Sequence, residues 1–167
     1  HPPDRSLDIM DVDRQRAIDV ATDAFREHGI SEPDARQTAE VLVSADARGK
    51  HSHGLLRLAR LVRGMEHGNV DPSGTIEVVA GRGGAATING GSRLGPVVAS
   101  EATAAAMDRA DEFGVGAVGV HESNHLGMLG YYTDQLQREG YLGVAITSTE
   151  PAMPPHGGAE PIRAPNP

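Results

Sequence analysis

Two short polar segments of this chain carry residue types suited to proton transfer on a small acid. In the first, His53 is followed by Gly54 and, four residues after the histidine, by Arg57. In the second, His125 lies among small polar residues. Imidazole titrates near neutral pH and serves as a general acid or base, while the planar guanidinium of arginine binds a carboxylate bidentately. This combination indicates an enzyme that handles a small oxo- or hydroxy-acid.

The first histidine is expected where one helix ends and another begins. If a helix begins near Gly54, its dipole disfavours the imidazolium and keeps His53 neutral, so that the ring can exchange a proton with a substrate hydroxyl or carbonyl. Arg57 would then project from the same helical face. The same pattern is also typical of a helix cap followed by a solvated arginine, and spacing alone leaves both interpretations open.

The second histidine follows a predicted buried strand that ends at Val120. Ligands of α/β sheets gather at the carboxyl ends of strands, so His125 would occupy a favoured place. Its neighbours Ser123 and Asn124 can orient an imidazole or bind substrate oxygens. A polar loop with a structurally satisfied histidine would give the same pattern, and this alternative also stays open.

A metal site is a competing hypothesis. His51 and His53 form one close pair, and His121 and His125 form another, so four imidazoles could bind zinc in a hydrolase. Glu122 is the acidic residue at an obvious ligand spacing. Metal-binding His-x-His pairs usually lie on strands, whereas this pair is expected at the end of a helix.

The elements that must position these segments change in type along the chain. Apolar residues at helical spacing predict helices over 12–26, 31–48, 54–65, 96–112 and 126–138. Short apolar runs predict strands over 76–79, 85–88, 115–120 and 142–146, the last two of them buried. We therefore expect an α/β protein with a helical lobe over residues 1–74, a partial α/β cofactor and substrate domain over 75–150, and a Pro/Gly-rich loop over 151–167.

Composition limits the possible partners. The chain has 167 residues and a formal net charge of −8, without a basic run, which argues against nucleic acid and anionic membranes. It has no cysteine, which excludes disulfides and thiolate chemistry and suits a cytoplasmic location. No apolar stretch approaches the roughly 20 residues that cross a bilayer. The turn over residues 91–95 does not form a Gly-x-Gly-x-x-Gly fingerprint and no Walker pattern occurs, so these residues do not support a Rossmann nucleotide site.

Four segments in order, at residues 46–57, 90–95, 123–132 and 154–158, resemble the malate/L-lactate dehydrogenase family of the non-Rossmann type. The resemblance spans nearly the whole chain and corresponds to the N-terminal portion of that family. It implies a non-Rossmann α/β nucleotide-binding fold, NAD or NADP as cofactor, a small carboxylate substrate and a homodimer. The implied reaction is hydride transfer between NAD(P)H and a 2-oxo or 2-hydroxy acid.

The resemblance also suggests roles for individual residues. His53 matches the proton donor or acceptor of some members and His125 that of others, so both are expected to be catalytic. Ser52 and Arg57 match substrate-contacting positions, with Arg57 on the carboxylate, and Asn124 is a further substrate candidate. The residues expected to line the cofactor cleft are Ser123, Thr147, Ser148, Pro154, His156, Gly157 and Gly158.

Two departures from the family pattern support an alternative. Family members are longer, and residues 162–167 stand where the family has a Gly-Thr-Asn-Pro turn, of which Asn166 and Pro167 are retained. The alternative is a truncated, catalytically silent homologue that acts as a dimerisation or interaction module.

Overall fold

The computed structural model describes residues 12–148, 154 and 156–160. Its elements are five α-helices and three strands, with two short 3-10 turns, His51–His53 and Leu55–Arg57, after the second helix. In chain order they are α1 (Arg14–Arg26), α2 (Glu32–Ala47), α3 (Leu58–Glu66), β1 (Glu77–Arg82), β2 (Ala85–Asn89), α4 (Gly95–Phe113), β3 (Ala117–His121) and α5 (Gly130–Arg138).

The first two helices pack together and form much of the core. Asp13 caps α1 by accepting a hydrogen bond from the Arg16 backbone N–H at 2.9 Å, and Ser31 caps α2. Apolar residues on the facing sides, among them Phe25 and Leu42, are fully buried. Both helices confirm the expectation from apolar spacing and capping residues.

The sheet has the order β1-β2-β3. β1 and β2 form an antiparallel hairpin, whereas β2 and β3 are parallel, with α4 as the connection between them. In the parallel pair Asn89 lies opposite His121, so the loop after β3 leaves the sheet beside the turn after β2. A helical N-terminal region followed by this small mixed sheet confirms the predicted α/β class.

The predicted helix over 54–65 is wrong in its first turn. Gly54 has an extended backbone (φ −93°, ψ −150°), which separates the two 3-10 turns and delays α3 until Leu58. His53 therefore lies in a 3-10 turn and not at the start of an α-helix. The helix predicted over 126–138 is also shorter, because Gly127 adopts a φ of +78° and α5 begins at Gly130.

The predictions of buried strands after α4 need larger corrections. Residues 142–146 form no strand and pair with no other segment of the described chain; Leu142 is 99% exposed and Ile146 80% exposed. β3 does form and overlaps the predicted 115–120 run, but its residues are mostly exposed. Apolar composition indicated burial in both cases, whereas burial depends on a covering layer that the described residues do not supply.

Two ion pairs connect the helical region to later elements. Arg93, in the turn before α4, contacts Asp34 at the start of α2, and Arg48, just after α2, contacts Asp134 in α5. The turn and the helix that flank the β3–α5 loop are thereby fixed to α2. Among the described residues, no helix is both long and apolar enough to span a membrane.

Candidate functional site

The segment over residues 51–57 is anchored by one carboxylate at the end of α2. Asp46 Oδ2 accepts a hydrogen bond from the Leu55 backbone N–H at 2.7 Å, and Oδ1 lies 2.8 Å from His51 Nδ1. A Cβ atom on Gly54 would lie 2.2 Å from Asp46 Oδ1, so glycine is required for this approach. Asp46 therefore determines the path of the chain on both sides of His53.

Ser52, His53 and Arg57 form a connected group within this segment. Ser52 Oγ lies 2.9 Å from His53 Nδ1, and Arg57 Nε donates to the Ser52 carbonyl oxygen at 2.6 Å. The expectation that one helical face aligns His53 and Arg57 is wrong, because Gly54 interrupts the helix. Arg57 instead reaches the same region by folding back onto the 3-10 turn.

The loop after β3 is fixed against the turn that precedes α4. Asn124 Nδ2 donates to the carbonyl oxygens of Ser92 at 2.8 Å and Arg93 at 3.0 Å. The Nδ2 amide of Asn124 is therefore engaged by backbone, and its Oδ1 has no hydrogen-bond partner among the described residues. The hydroxyl of Ser123 lies 3.5 Å from the Asn124 carbonyl oxygen, at the limit of a hydrogen bond.

The His125 ring is held from its own loop. The Gly127 backbone N–H donates to His125 Nδ1 at 3.0 Å, an arrangement that uses the left-handed backbone of the glycine. Next to it, the buried Tyr132 hydroxyl donates to the Leu126 carbonyl oxygen at 2.5 Å. These contacts fix both the position of the imidazole and the nitrogen that carries its proton.

The structure brings the two predicted histidines together. The ring centroids of His53 and His125 are 5.7 Å apart and their planes are inclined by 39°. Burial, and after it the positive charge of Arg57, lowers the pKa of His125 from 6.5 to about 4. The charges of His53 and Arg60 act in the same direction. His125 is therefore neutral at physiological pH.

The two imidazoles differ in the kind of group that faces Nδ1. His125 Nδ1 accepts from a backbone N–H, which cannot itself accept, so this nitrogen stays unprotonated and the proton is on Nε2. His53 Nδ1 faces a hydroxyl, which can donate to a bare nitrogen or accept from a protonated one. Both protonation states of His53 thus have a suitable partner, whereas only the neutral state of His125 does.

Comparison with known proteins identifies the family of the chain. The sequence profile described as malate/L-lactate dehydrogenase matches residues 12–167. The chain belongs to the malate/L-lactate dehydrogenase family. It is 42% identical over 139 residues to a malate/(S)-sulfolactate dehydrogenase of Methanothermus fervidus, covering 83% of this chain and 41% of that protein. It is 39% identical over 145 residues to an L-sulfolactate dehydrogenase of Methanocaldococcus jannaschii, covering 87% and 42%.

A solved structure of the same family superimposes closely. Malate dehydrogenase of Pyrococcus horikoshii matches with a TM-score of 0.90 and 35% identity, covering 94% of this chain and 45% of that one. The chain thus spans less than half the length of these relatives. The family resemblance seen in the sequence motifs is confirmed, while the roles of individual site residues stay predictions.

The residues expected to line the cofactor cleft of this malate/L-lactate dehydrogenase family member lie on irregular segments. Thr147 and Ser148 follow the irregular 142–146 segment, and Pro154, His156, Gly157 and Gly158 are exposed. Among the described residues, no hydrogen bond joins this group to His53 or His125. Hydroxyl and backbone N–H donors suit the ribose and phosphate oxygens of NAD(P), so the donor chemistry fits the cofactor that the family uses.

The alternative of a metal site gains no support from the geometry. His51 turns to Asp46, whereas His53 turns to His125, so the His-x-His pair does not converge. Within residues 12–148, 154 and 156–160, no group of three or more His, Cys, Asp or Glu side chains could hold a metal ion. His121, at the end of β3, is exposed.

Four residues with clear parts in the site were not singled out from the sequence. Asp46, Gly127 and Tyr132 position the two histidine segments, and Arg60 adds positive charge near His125. Asp46 and Gly127 lie inside the family motifs, which is the signal that was available for them. Arg60 carried a weaker signal, its spacing of three residues from Arg57.

Proposed function

We propose that this chain carries the proton-transfer and acid-binding groups of an NAD(P)-dependent oxidoreductase that interconverts a small 2-oxo acid and its 2-hydroxy acid. The observation that carries the proposal is the close pair of His53 and His125, whose hydrogen-bond partners suit different tasks, beside Arg57. Family membership supports the reaction class, and the relatives named for malate and sulfolactate act on substrates of this kind.

His53 is proposed as the proton carrier. During reduction of a 2-oxo acid, its ring gives a proton to the developing alkoxide oxygen, and in the reverse direction it takes the hydroxyl proton. Because Nδ1 faces the Ser52 hydroxyl, Nε2 is the nitrogen that exchanges the proton, and the hydroxyl accepts a hydrogen bond from Nδ1–H in both charge states of the ring. A side chain that cycles between two protonation states needs such a partner.

His125 is proposed to polarise the substrate without exchanging a proton. Its Nε2–H donates a hydrogen bond to the carbonyl oxygen, and a neutral imidazole can serve as an electrophile in this way. Because Gly127 occupies Nδ1 and the pKa is about 4, the ring does not compete with His53 as an acid near neutral pH. The two histidines would thus contact the same substrate oxygen, His53 to exchange a proton with it and His125 to donate a hydrogen bond to it.

Arg57 is proposed to hold the substrate carboxylate. Its Nε is used by the Ser52 carbonyl oxygen, which leaves the two terminal amino groups for a carboxylate. Ser52 and the free Oδ1 of Asn124 are further proposed contacts. Ser123, Thr147, Ser148, Pro154 and residues 156–158 would hold the nicotinamide cofactor, which supplies the hydride when bound.

Enzyme kinetics test these assignments. The oxidation of NADH and of NADPH is followed at 340 nm, a wavelength set by the nicotinamide ring, with pyruvate or oxaloacetate as substrate. We expect His53→Gln to lower kcat by roughly 10²- to 10⁴-fold, the usual contribution of a general acid. His156→Gln removes an exposed histidine and tests the cofactor assignment, because only the KM for the cofactor should change. Unchanged rates for both His53→Gln and His125→Asn would overturn the proposal.

The alternative of a silent interaction module has one observation in its favour. One segment, residues 142–146, exposes the apolar side chains of Leu142, Val144 and Ile146. Such exposure is typical of surfaces that another chain or segment covers. Calorimetry with NADH and with NADPH separates the two functions. Measurable binding of either cofactor counts against the silent module, and absence of binding together with self-association would favour it.

A further inference from the structure

A second arginine lies next to the proposed acid-binding residue. Arg57 is the residue before α3, and both Arg57 and Leu58 have helical backbone angles, so Arg57 and Arg60 are neighbours at i and i+3. Side chains at this spacing have Cβ atoms about 5–6 Å apart and lie on one side of the helix. Arg63, one step further, is rotated by about 120° from Arg57 around the helix axis. The helix therefore presents Arg57 and Arg60, but not Arg63, toward the same region.

The charge of these two arginines is not balanced within the described chain. Among residues 12–148, 154 and 156–160, Arg57, Arg60 and Arg63 form no ion pair, whereas four other arginines do: Arg26, Arg36, Arg48 and Arg93. The positive charges of Arg57 and Arg60 reach His125, where they oppose protonation of the ring. Asp46, the carboxylate that anchors the segment over residues 51–57, is engaged by His51 and Leu55.

We propose that Arg60 is a specificity-determining residue that binds the distal acidic group of the substrate, so that the site prefers dianionic 2-oxo and 2-hydroxy acids. This proposal rests on the proposed function, because it takes Arg57 as the residue that binds the first carboxylate. A three- or four-carbon chain with an acidic group at each end is of a length that two guanidinium groups at this spacing can bind together. A substrate with one carboxylate leaves Arg60 without a partner.

The preference for a dianionic acid follows from charge balance in the site. A dianion beside two unpaired arginines neutralises both, whereas a monoanion leaves one positive charge near the neutral His125. The cofactor phosphates are another source of negative charge for Arg60. If Arg60 binds the substrate, its substitution changes the affinity for the substrate. If it binds the cofactor phosphates, its substitution changes the affinity for the cofactor, and the experiment separates the two cases on that basis.

The test compares Arg60→Gln with a matched control on the same helix. Arg63→Gln removes an equally exposed arginine whose Nε donates to the Ala59 carbonyl oxygen. Binding of malonate, a dianion, and of acetate, a monoanion, is followed by the NMR shifts of the His125 ring protons. We expect Arg60→Gln to weaken malonate binding by about 10- to 100-fold, the usual size for a charged hydrogen bond, and acetate binding by less than about twofold. Arg63→Gln should change neither.

The kinetic counterpart uses oxaloacetate and pyruvate with saturating NADH or NADPH. Arg60→Gln should lower kcat/KM for oxaloacetate selectively, mainly through KM. Equal losses for both substrates, an equal effect of Arg63→Gln, or a change confined to the KM of the cofactor would each overturn the proposal. If the protein shows no turnover but Arg60→Gln still removes the preference for malonate, the reaction proposed above fails while the role of Arg60 stands.

Discussion

The low pKa of His125 leads to a prediction about acid stability. In the folded protein the pKa is about 4, against 6.5 for an ordinary histidine. Between these two values the unfolded chain binds more protons at this position than the folded chain does, so the free energy of unfolding falls as the pH falls. Above pH 6.5 both states are neutral at this residue and the effect is absent. Below pH 4 it is present in full.

The size of the effect follows from the difference between the two pKa values. Each unit corresponds to about 1.4 kcal/mol, but the ring is only partly buried and solvent screens part of the charge. We therefore expect a loss of about 1–2 kcal/mol in the free energy of unfolding between pH 7 and pH 4, attributable to His125. This amount is a measurable fraction of the stability of a small domain.

The substitution His125→Asn tests whether this loss of stability comes from His125. Asparagine places an oxygen near the position of Nδ1, so the Gly127 N–H keeps an acceptor, and the side chain no longer titrates. The smaller side chain lowers stability by the same amount at every pH. Only the change of stability with pH is therefore diagnostic, and in the variant it should be smaller than in the wild type by about 1–2 kcal/mol.

Urea denaturation at pH 4, 5, 6 and 7 provides the measurement, with His156→Asn as the control because His156 is exposed. The control should follow the wild-type pH dependence. If the wild type and His125→Asn lose the same stability between pH 7 and pH 4, the reasoning is refuted. A His125 ring proton that titrates near pH 6.5 in NMR spectra would refute it directly.

Two further substitutions test how the histidine segments are held. Asp46→Asn keeps an acceptor for the Leu55 N–H but removes the charge that faces His51, and it should lower the free energy of unfolding by about 1–2 kcal/mol in urea denaturation. An unchanged stability would show that Asp46 does not anchor the segment. Tyr132→Phe leaves the Leu126 carbonyl without its donor and should cost about 1–2 kcal/mol, with displaced His125 ring signals in NMR spectra. Unmoved ring signals would contradict its positioning role.

The elements that were predictable from the sequence are those whose signals are local. α1 and α2 follow from apolar spacing together with Asp13 and Ser31 as capping residues. The helical reading of residues 54–57 failed because the backbone of Gly54 is set by a carboxylate eight residues earlier in the chain, and no periodicity reports such a contact. Local pattern thus identified the helices and missed the turn that carries His53.

The burial and pairing of the strands were harder to predict from the sequence, because they too depend on contacts with distant segments. The apolar alternation of Leu142, Val144 and Ile146 is typical of a strand, yet a strand exists only where a neighbour pairs with it, and in the described part of the chain none does. In the site, residue types together with the family motifs pointed to His53 and His125. Their contact and their unequal partners depend on the packing of two segments that are distant in the sequence.

Anion binding and the protonation of His125 must be coupled, because the same charges govern both. Arg57 and Arg60 help to lower the pKa of His125, so an anion that neutralises them should raise it from about 4 toward its ordinary value. Linkage then requires the converse, that the anion binds more tightly as the pH falls into the range where His125 titrates. Titrations with methanedisulfonate, a dianion that does not titrate between pH 7 and pH 5, measure both sides of this relation when the His125 pKa is followed by NMR. Arg60→Gln should reduce both effects together, whereas an affinity for this anion that is independent of pH would show that it binds away from His125.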